Sequence, residues 1–233
     1  MIQATCQHAF AALPQGGYLD RQTNCGEVNP MPALLQQRKS LGVALCQRDA
    51  YTSMHCGRVE YLCRLLGLAC DLNSHERSLL RVASRLHDIG KIGIADDVLF
   101  KKSRLDAAEW EVMKRHSELG QATCEAIPHA NAPQLGIIVR HHHEAFDGSG
   151  YPDGLVGTEI PVCSRIISLA DSYDAMTTDR SYHKAISHEN AMAIMRSEKG
   201  SKSDPRLFGY FVKIMATLAG RPGFSSTDGG LPN

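Results

Sequence analysis

The chain has 233 residues, 43% of them hydrophobic and 21% charged, a length and composition that suit one globular domain with appendages rather than two full domains. Its formal net charge is zero. No bulk field therefore draws it to DNA or to an anionic membrane, and an anionic ligand would need local cations.

Residues 1–31 carry scattered Gly, Pro and Asn without a clear period and read as an N-terminal segment, the end of a linker or regulatory region. Met1–Pro14 has no basic stretch ahead of its apolar residues, as a signal peptide would, and no run in the chain is long and apolar enough to span a bilayer. The expected location is the cytoplasm. From Pro32 to Leu72 the apolar residues recur at helical spacing through Leu34, Leu35, Leu41, Leu45, Val59, Leu62 and Leu66. Asn73 or Ser74, with Glu76 following, starts a helix that carries Leu79, Leu80, Val82 and Leu86 and ends near Gly90 or Gly93. Asp106 with Glu109 is a capping-box signature for one helix running to about Ile127. Pro133 opens another, ending near Phe146. Gly148, Gly150, Pro152, Gly154 and Gly157 then mark an irregular loop. Pro161 opens a helix with Ile166, Ile167 and Leu169, Ser187 caps a further one, and Asp204-Pro205 fits the cap and first position of the last. The tail from Gly220 is rich in Gly, Pro and Ser and reads as disordered. The fold class is all-α: a helical bundle.

None of the eight cysteines forms a CxxC pair, so neither a disulfide framework nor a thiolate zinc site is expected. Cys56, Cys63 and Cys70 fall seven apart, on one helix face, and read as buried free thiols.

The densest polar cluster within apolar sequence is Arg85-Leu86-His87-Asp88-Ile89-Gly90-Lys91. A carboxylate buried beside a histidine is costly unless something pairs with it, and a metal ion would do so. An HD pair alone also fits a capped helix end with a salt bridge. Its companions add weight: His55 on the preceding helix, His116 on the following one, His142 and His143 after that, and Asp171 inside the next apolar helix. Taken singly, each has a bland reading as a half-buried or solvated side chain. Together they come from several helices, as a site built in a bundle core requires. Imidazole with carboxylate suits iron, manganese, nickel, zinc or another first-row divalent ion.

His87-Asp88-Ile89-Gly90-Lys91, followed by His142-His143-Glu144-Ala145-Phe146-Asp147-Gly148-Ser149-Gly150-Tyr151-Pro152, resembles the HD-GYP family of bacterial cyclic di-GMP phosphodiesterases. The match runs from about Tyr51 to Met215 and takes in Ala170-Asp171, Asp174-Ala175 and Arg180-Ser181-Tyr182. It implies an HD-domain bundle, with residues 32–219 as the catalytic domain and 220–233 as a tail. It further implies two divalent ions, usually iron or manganese, bridged by Asp88. One would take His55, His87, Asp88 and Asp171; the other Asp88, His116, His142 and His143. The implied reaction is in-line hydrolysis of cyclic di-GMP to the linear dinucleotide, with a second cut in some relatives. Asp88 and Lys91 are the implied catalytic pair. Lys91, Arg180, Tyr151, His183 and Lys184 are the candidates for substrate contact. The segment Asp147, Gly148, Gly150, Tyr151 and Pro152 either shapes the loop or touches substrate, and in the family it has been linked to GGDEF-type cyclases. A homodimer is a further expectation.

The sequence departs from the family pattern in places. Relatives with a third metal carry a glutamate where Tyr51 stands, which favours two ions here. The family's Arg-Pro-Tyr-Arg/Lys string reads Arg180-Ser181-Tyr182-His183, followed by Lys184, which bears on phosphate affinity and base preference. His141 flanks the HHE register, and His8, His75, His129 and His188 read as ordinary surface residues. Hydrolysis of 3'3'-cyclic GMP-AMP is a near alternative. A non-catalytic module that meets a cyclase, and a di-iron oxygenase of the wider superfamily, are alternatives from other classes.

Overall fold

Apolar stripes at helical spacing must be buried against another element, and among the described residues ten α-helices stack on one another to do so. The computed structural model describes residues 31–179 and 184–219. The readings on residues 1–30, on the tail from Gly220, and on Arg180 and His183 lie outside them. The described residues contain no strand, only the isolated bridges Asp147–Val156 and Lys199–Ser203.

Helices α1 (Met31–Arg48) and α2 (Ala50–Ala69) divide what the sequence pattern presents as one stretch. Asp49 makes the division. Its backbone is extended, and its carboxylate accepts from the backbone N–H groups of Tyr51 and Thr52, capping α2. The capping boxes expected at Asn73 and Asp106 are present at the starts of α3 (Ser74–Leu86) and α5 (Ala107–Lys114). A 3-10 turn, Ile89–Gly93, follows α3, and the short α4 (Asp96–Leu99) leads on to α5.

The single helix expected from Asp106 to Ile127 is instead two, α5 and α6 (His116–Glu125), interrupted at Arg115. Arg115 N–H turns to the Val112 carbonyl, and the His116 ring takes the Met113 carbonyl through Nδ1 at 2.8 Å. That is the carbonyl an unbroken helix would offer to the amide of Ser117. Helix α7 (Ala132–Arg140) stops short of the expected Phe146, and the chain turns at His141 to His143. Helices α8 (Val162–Thr177), α9 (His188–Ser197, capped by Ser187) and α10 (Pro205–Ala219) start where the sequence places them.

The core joins Val59, Leu62, Cys63 and Leu66 of α2 to Leu79, Leu80 and Leu86 of α3, Ile166, Ile167 and Tyr173 of α8, and Phe208, Phe211 and Ile214 of α10. Cys56, Cys63 and Cys70 are all buried, and burial holds the Cys56 and Cys63 thiols well above their ordinary range. No helix among the described residues is long and apolar enough to cross a membrane.

Candidate metal centre

Helix ends, rather than helix faces, carry most of the clustered histidines. His87 caps α3, His116 opens α6 after the break, and His142 follows the end of α7. The last carbonyls of a helix lack intrahelical donors, and each of these rings supplies one through Nδ1. His87 bonds the Ser84 carbonyl at 2.9 Å, His116 that of Met113 at 2.8 Å, and His142 that of Val139 at 2.6 Å. His55, inside α2, uses Nδ1 on the Asp174 carboxylate at 2.7 Å. A ring that donates from Nδ1 and stays neutral presents a bare lone pair at Nε2.

Those lone pairs converge. Nε2 of His116 lies 3.4 Å from Nε2 of His142. The Asp88 carboxylate sits between two groups, with Oδ1 3.6 Å from His116 Nε2 and Oδ2 3.6 Å from His87 Nε2 and 3.9 Å from His55 Nε2. Asp171 Oδ1 lies 3.0 Å from His55 Nε2. Asp88, His116, His142 and His143 can each offer a ligand atom within 4.8 Å of one another, and so can His55, His87 and Asp88. Asp88 belongs to both sets, one oxygen turned to each. Asp171 adjoins the second set through His55.

Burial sets the protonation. It lowers His87 and His116, takes His142 well below its ordinary value and drops His143 to about 3, so these rings are neutral near pH 7. Burial opposes the Asp88 and Asp171 charges, but Lys91 and the surrounding rings for Asp88, and the His55 bond for Asp171, hold both well below the usual carboxylate range. Burial would also lower His55, but the bonds to Asp171 and Asp174 outweigh it and raise the ring to about 9.

A divalent cation fits this donor set. His87 Nε2 is fully buried with no hydrogen-bond partner among the described residues, and the neutral His116 and His142 rings face lone pair to lone pair. An unsatisfied buried acceptor costs free energy, and a cation among two carboxylates and several imidazoles removes that cost.

The surroundings hold the ligands in place. Gly90 brings the 3-10 turn against α6, where an added Cβ would lie 1.9 Å from the His116 carbonyl oxygen and 2.5 Å from the Gly120 nitrogen. Gly150 lets the loop fold back on the histidine pair, where a Cβ would lie 2.1 Å from the Ala145 nitrogen. Gly148 has φ +84°, and Asp147 accepts from the Ser149 N–H at 2.9 Å. The Tyr151–Pro152 peptide is cis. Glu144 is buried and accepts from the backbone N–H groups of Asp153 and Leu155. Asp153 in turn takes Arg140 at 2.6 and 2.7 Å and His141 at 2.8 Å, which gives the flanking histidine a structural partner.

Of the expected substrate contacts, Lys91 bonds Asp88 Oδ2 at 2.7 Å and lines a cavity of about 600 Å³ over the centre. Tyr151 lines the same cavity, but its ring lies 4.9 Å from the His143 ring with the Lys114 ammonium 5.7 Å from its centre, so it packs on the cluster. Lys184 is exposed and does not line the cavity.

Sequence reasoning missed three kinds of residue. Asp174 is read there as part of a motif without a role; it holds His55 and accepts from Arg58 Nε at 2.6 Å and Nη2 at 2.9 Å. The available signal was spacing, since Asp174 stands three after Asp171, and Arg58 three after His55. Lys102 and Trp110 line the cavity, and Glu198 and Lys202 line a second one beside it; no motif marks them.

The HD domain family model matches residues 31–207. The chain is 36% identical over 178 residues to a cyclic di-GMP phosphodiesterase response regulator of Xanthomonas campestris, covering 76% of this chain and 47% of that protein. It is 35% identical over 186 residues to a 3'3'-cGAMP-specific phosphodiesterase of Vibrio cholerae, covering 77% of this chain and 36% of the relative. It thus spans about half or less of the length of these curated relatives. Among solved structures, a cyclic GMP-AMP specific phosphodiesterase of Vibrio cholerae superposes with a TM-score of 0.58 at 20% identity, covering 80% of this chain and 49% of that one. A Bdellovibrio bacteriovorus HDG"Y"P protein superposes with a TM-score of 0.60 at 16% identity, covering 81% and 66%. These two show a shared fold.

Proposed function

The chain belongs to the HD domain family, and from that premise we propose that it is a metal-dependent phosphodiesterase of cyclic dinucleotides, of the HD-GYP type. The observation that carries this reading is the convergence of the neutral, Nδ1-anchored rings of His87, His116 and His142, together with His55 and His143, on a carboxylate that faces two ligand sets, beneath an open cavity lined with lysines.

On this reading residues 32–219 form the catalytic domain. His55, His87, Asp88 and Asp171 hold one ion, and Asp88, His116, His142 and His143 the other, iron or manganese in each. A pair of such ions supplies a nucleophile at neutral pH and neutralises phosphodiester charge. The chain's own residues do the rest. Asp88 fixes the spacing of the two sets. Lys91, tied to Asp88 yet facing the cavity, offers its ammonium to a phosphate oxygen, and Lys102 adds a second positive charge at the rim. The helix-end carbonyls keep the rings in the tautomer that binds.

Cyclic di-GMP is the proposed substrate, opened to its linear form. Relatives with 3'3'-cGAMP specificity at similar identity support cyclic GMP-AMP as the second candidate. The cytoplasm, where such messengers circulate, is the proposed place of action. A GGDEF-type cyclase meeting the Gly148–Pro152 loop, and a homodimer, are proposed partners. The test is turnover of both dinucleotides by the purified protein with added iron or manganese, read by chromatography. A linear product supports the reading and the faster substrate fixes the base choice; bound metal without turnover of either refutes it.

A further inference from the structure

The cavity over the metal centre adjoins a second one of about 420 Å³, and Trp110, His143, Tyr151 and Ser172 line both. A cyclic dinucleotide carries two bases, and the space directly over the metal centre provides for the scissile phosphate and its neighbours. The second lobe has the makings of a base site. Trp110 leaves 46% of its surface open, with Tyr151 edge-on at 6.1 Å. Because His143 and Lys114 already crowd the Tyr151 ring, Trp110 is the aromatic with area to give to a stacked base. Glu198 and Lys202 also line this lobe. The half-buried Glu198 carboxylate has no side-chain hydrogen bond or ion pair among the described residues, so its oxygens are available to a ligand's donors. Lys202 reaches Ser149 Oγ at 3.3 Å, at the lobe's edge. The Phe146 and Asp147 amides bond the Lys202 and Ser201 carbonyls, which fixes this turn against the Gly148–Pro152 loop.

We propose that this second lobe is a guanine subsite, with Glu198 accepting from the N1–H and the exocyclic amine, Lys202 donating to O6 or N7, and Trp110 stacking on the ring. This rests on the reading of the chain as a cyclic dinucleotide phosphodiesterase and names the base it selects. The two charges match guanine and oppose adenine, which turns a lone pair at N1 toward the carboxylate and an amino group at N6 toward the ammonium. Cyclic di-GMP and cyclic GMP-AMP each carry a guanine for this lobe; cyclic di-AMP carries none.

Trp110 is the chain's single tryptophan, so intrinsic fluorescence reports on this lobe without a label. The metal-loaded protein is titrated with GMP and with AMP, and kcat/KM is measured for cyclic di-GMP and cyclic di-AMP, in the natural chain and in Glu198→Gln and Lys202→Met. Expected are quenching by GMP at concentrations on the order of tenfold below AMP, and a cyclic di-GMP over cyclic di-AMP preference that falls on the order of tenfold in Glu198→Gln. GMP should also inhibit turnover competitively. An unchanged preference in both variants, with circular dichroism showing them folded, overturns the guanine subsite while leaving the phosphodiesterase reading standing. So does GMP quenching that persists at saturating cyclic di-GMP, which would mark a separate purine site. Failure of any cyclic dinucleotide to be hydrolysed refutes the parent reading instead.

Discussion

Asp174→Asn separates the metal account from simple packing. The Asp174 carboxylate receives three N–H groups: His55 Nδ1 at 2.7 Å, Arg58 Nε at 2.6 Å and Arg58 Nη2 at 2.9 Å. An asparagine offers one oxygen in place of two. If its amide nitrogen faces Arg58 Nε, two donors meet. If it faces His55, the ring is driven to the tautomer with hydrogen on Nε2, which aims a proton at Asp88 and Asp171 where a lone pair is needed. In both cases Arg58 loses the Asp174 charge. Breaking a buried ion pair from one side costs ~3–5 kcal/mol, and Arg58, with 12% of its side chain exposed, belongs at the low end. Loss of an outer partner of a ligating histidine weakens metal binding by roughly 10–100-fold. The assay is thermal melting of the metal-free protein alongside a chelator-competition titration, with Arg58→Lys as an intermediate case that keeps the charge. A lower melting point with metal affinity unchanged within about twofold would refute the claim that Asp174 sets the His55 tautomer.

Gly150→Ala puts a methyl 2.1 Å from the Ala145 nitrogen, so the loop must lift from His143. The expected result is a folded protein with a large loss of turnover, and normal turnover would place the loop's role elsewhere. Burial raises the Cys124 and Cys163 thiols to about 12, so in the native protein a thiol reagent should label exposed Cys46 and spare Cys56, Cys63, Cys124 and Cys163 until unfolding, as read by peptide mapping. Asp153 is held below its ordinary range, first by Arg140, with His141 adding to it. A depressed folded value means the tie stabilises fully above the unfolded pKa of about 3.9 and is lost progressively as pH falls from there through the folded value. Asp153→Asn should therefore lower the urea midpoint at pH 7 by a modest amount and by less at pH 3; an equal loss at both would rule out the ionic tie.

Helix positions, caps and the core were legible because burial and capping act over one or two turns. Asn73 with Glu76 and Asp106 with Glu109 are capping boxes in both sequence and structure. The break at Arg115 was not legible, since it depends on the His116 ring taking a carbonyl of the preceding turn, and nothing in the local pattern distinguishes that ring from a surface histidine. The HD and HHE strings marked the site residues, but their shared anchoring at helix-end carbonyls appears only in three dimensions. Arg58 and Asp174 lie far apart in the chain and meet through packing of α2 on α8, so no local pattern pairs them. Trp110 comes from α5, and Glu198 and Lys202 from the turn after α9; they share no motif.

The deciding experiment is the metal content of the purified natural chain and of Asp88→Ala, measured together with cyclic di-GMP turnover. About two ions per chain with turnover are expected in the natural protein, and loss of most metal and all turnover in Asp88→Ala, because one carboxylate serves both ligand sets. Full metal content and turnover in Asp88→Ala would contradict that shared role.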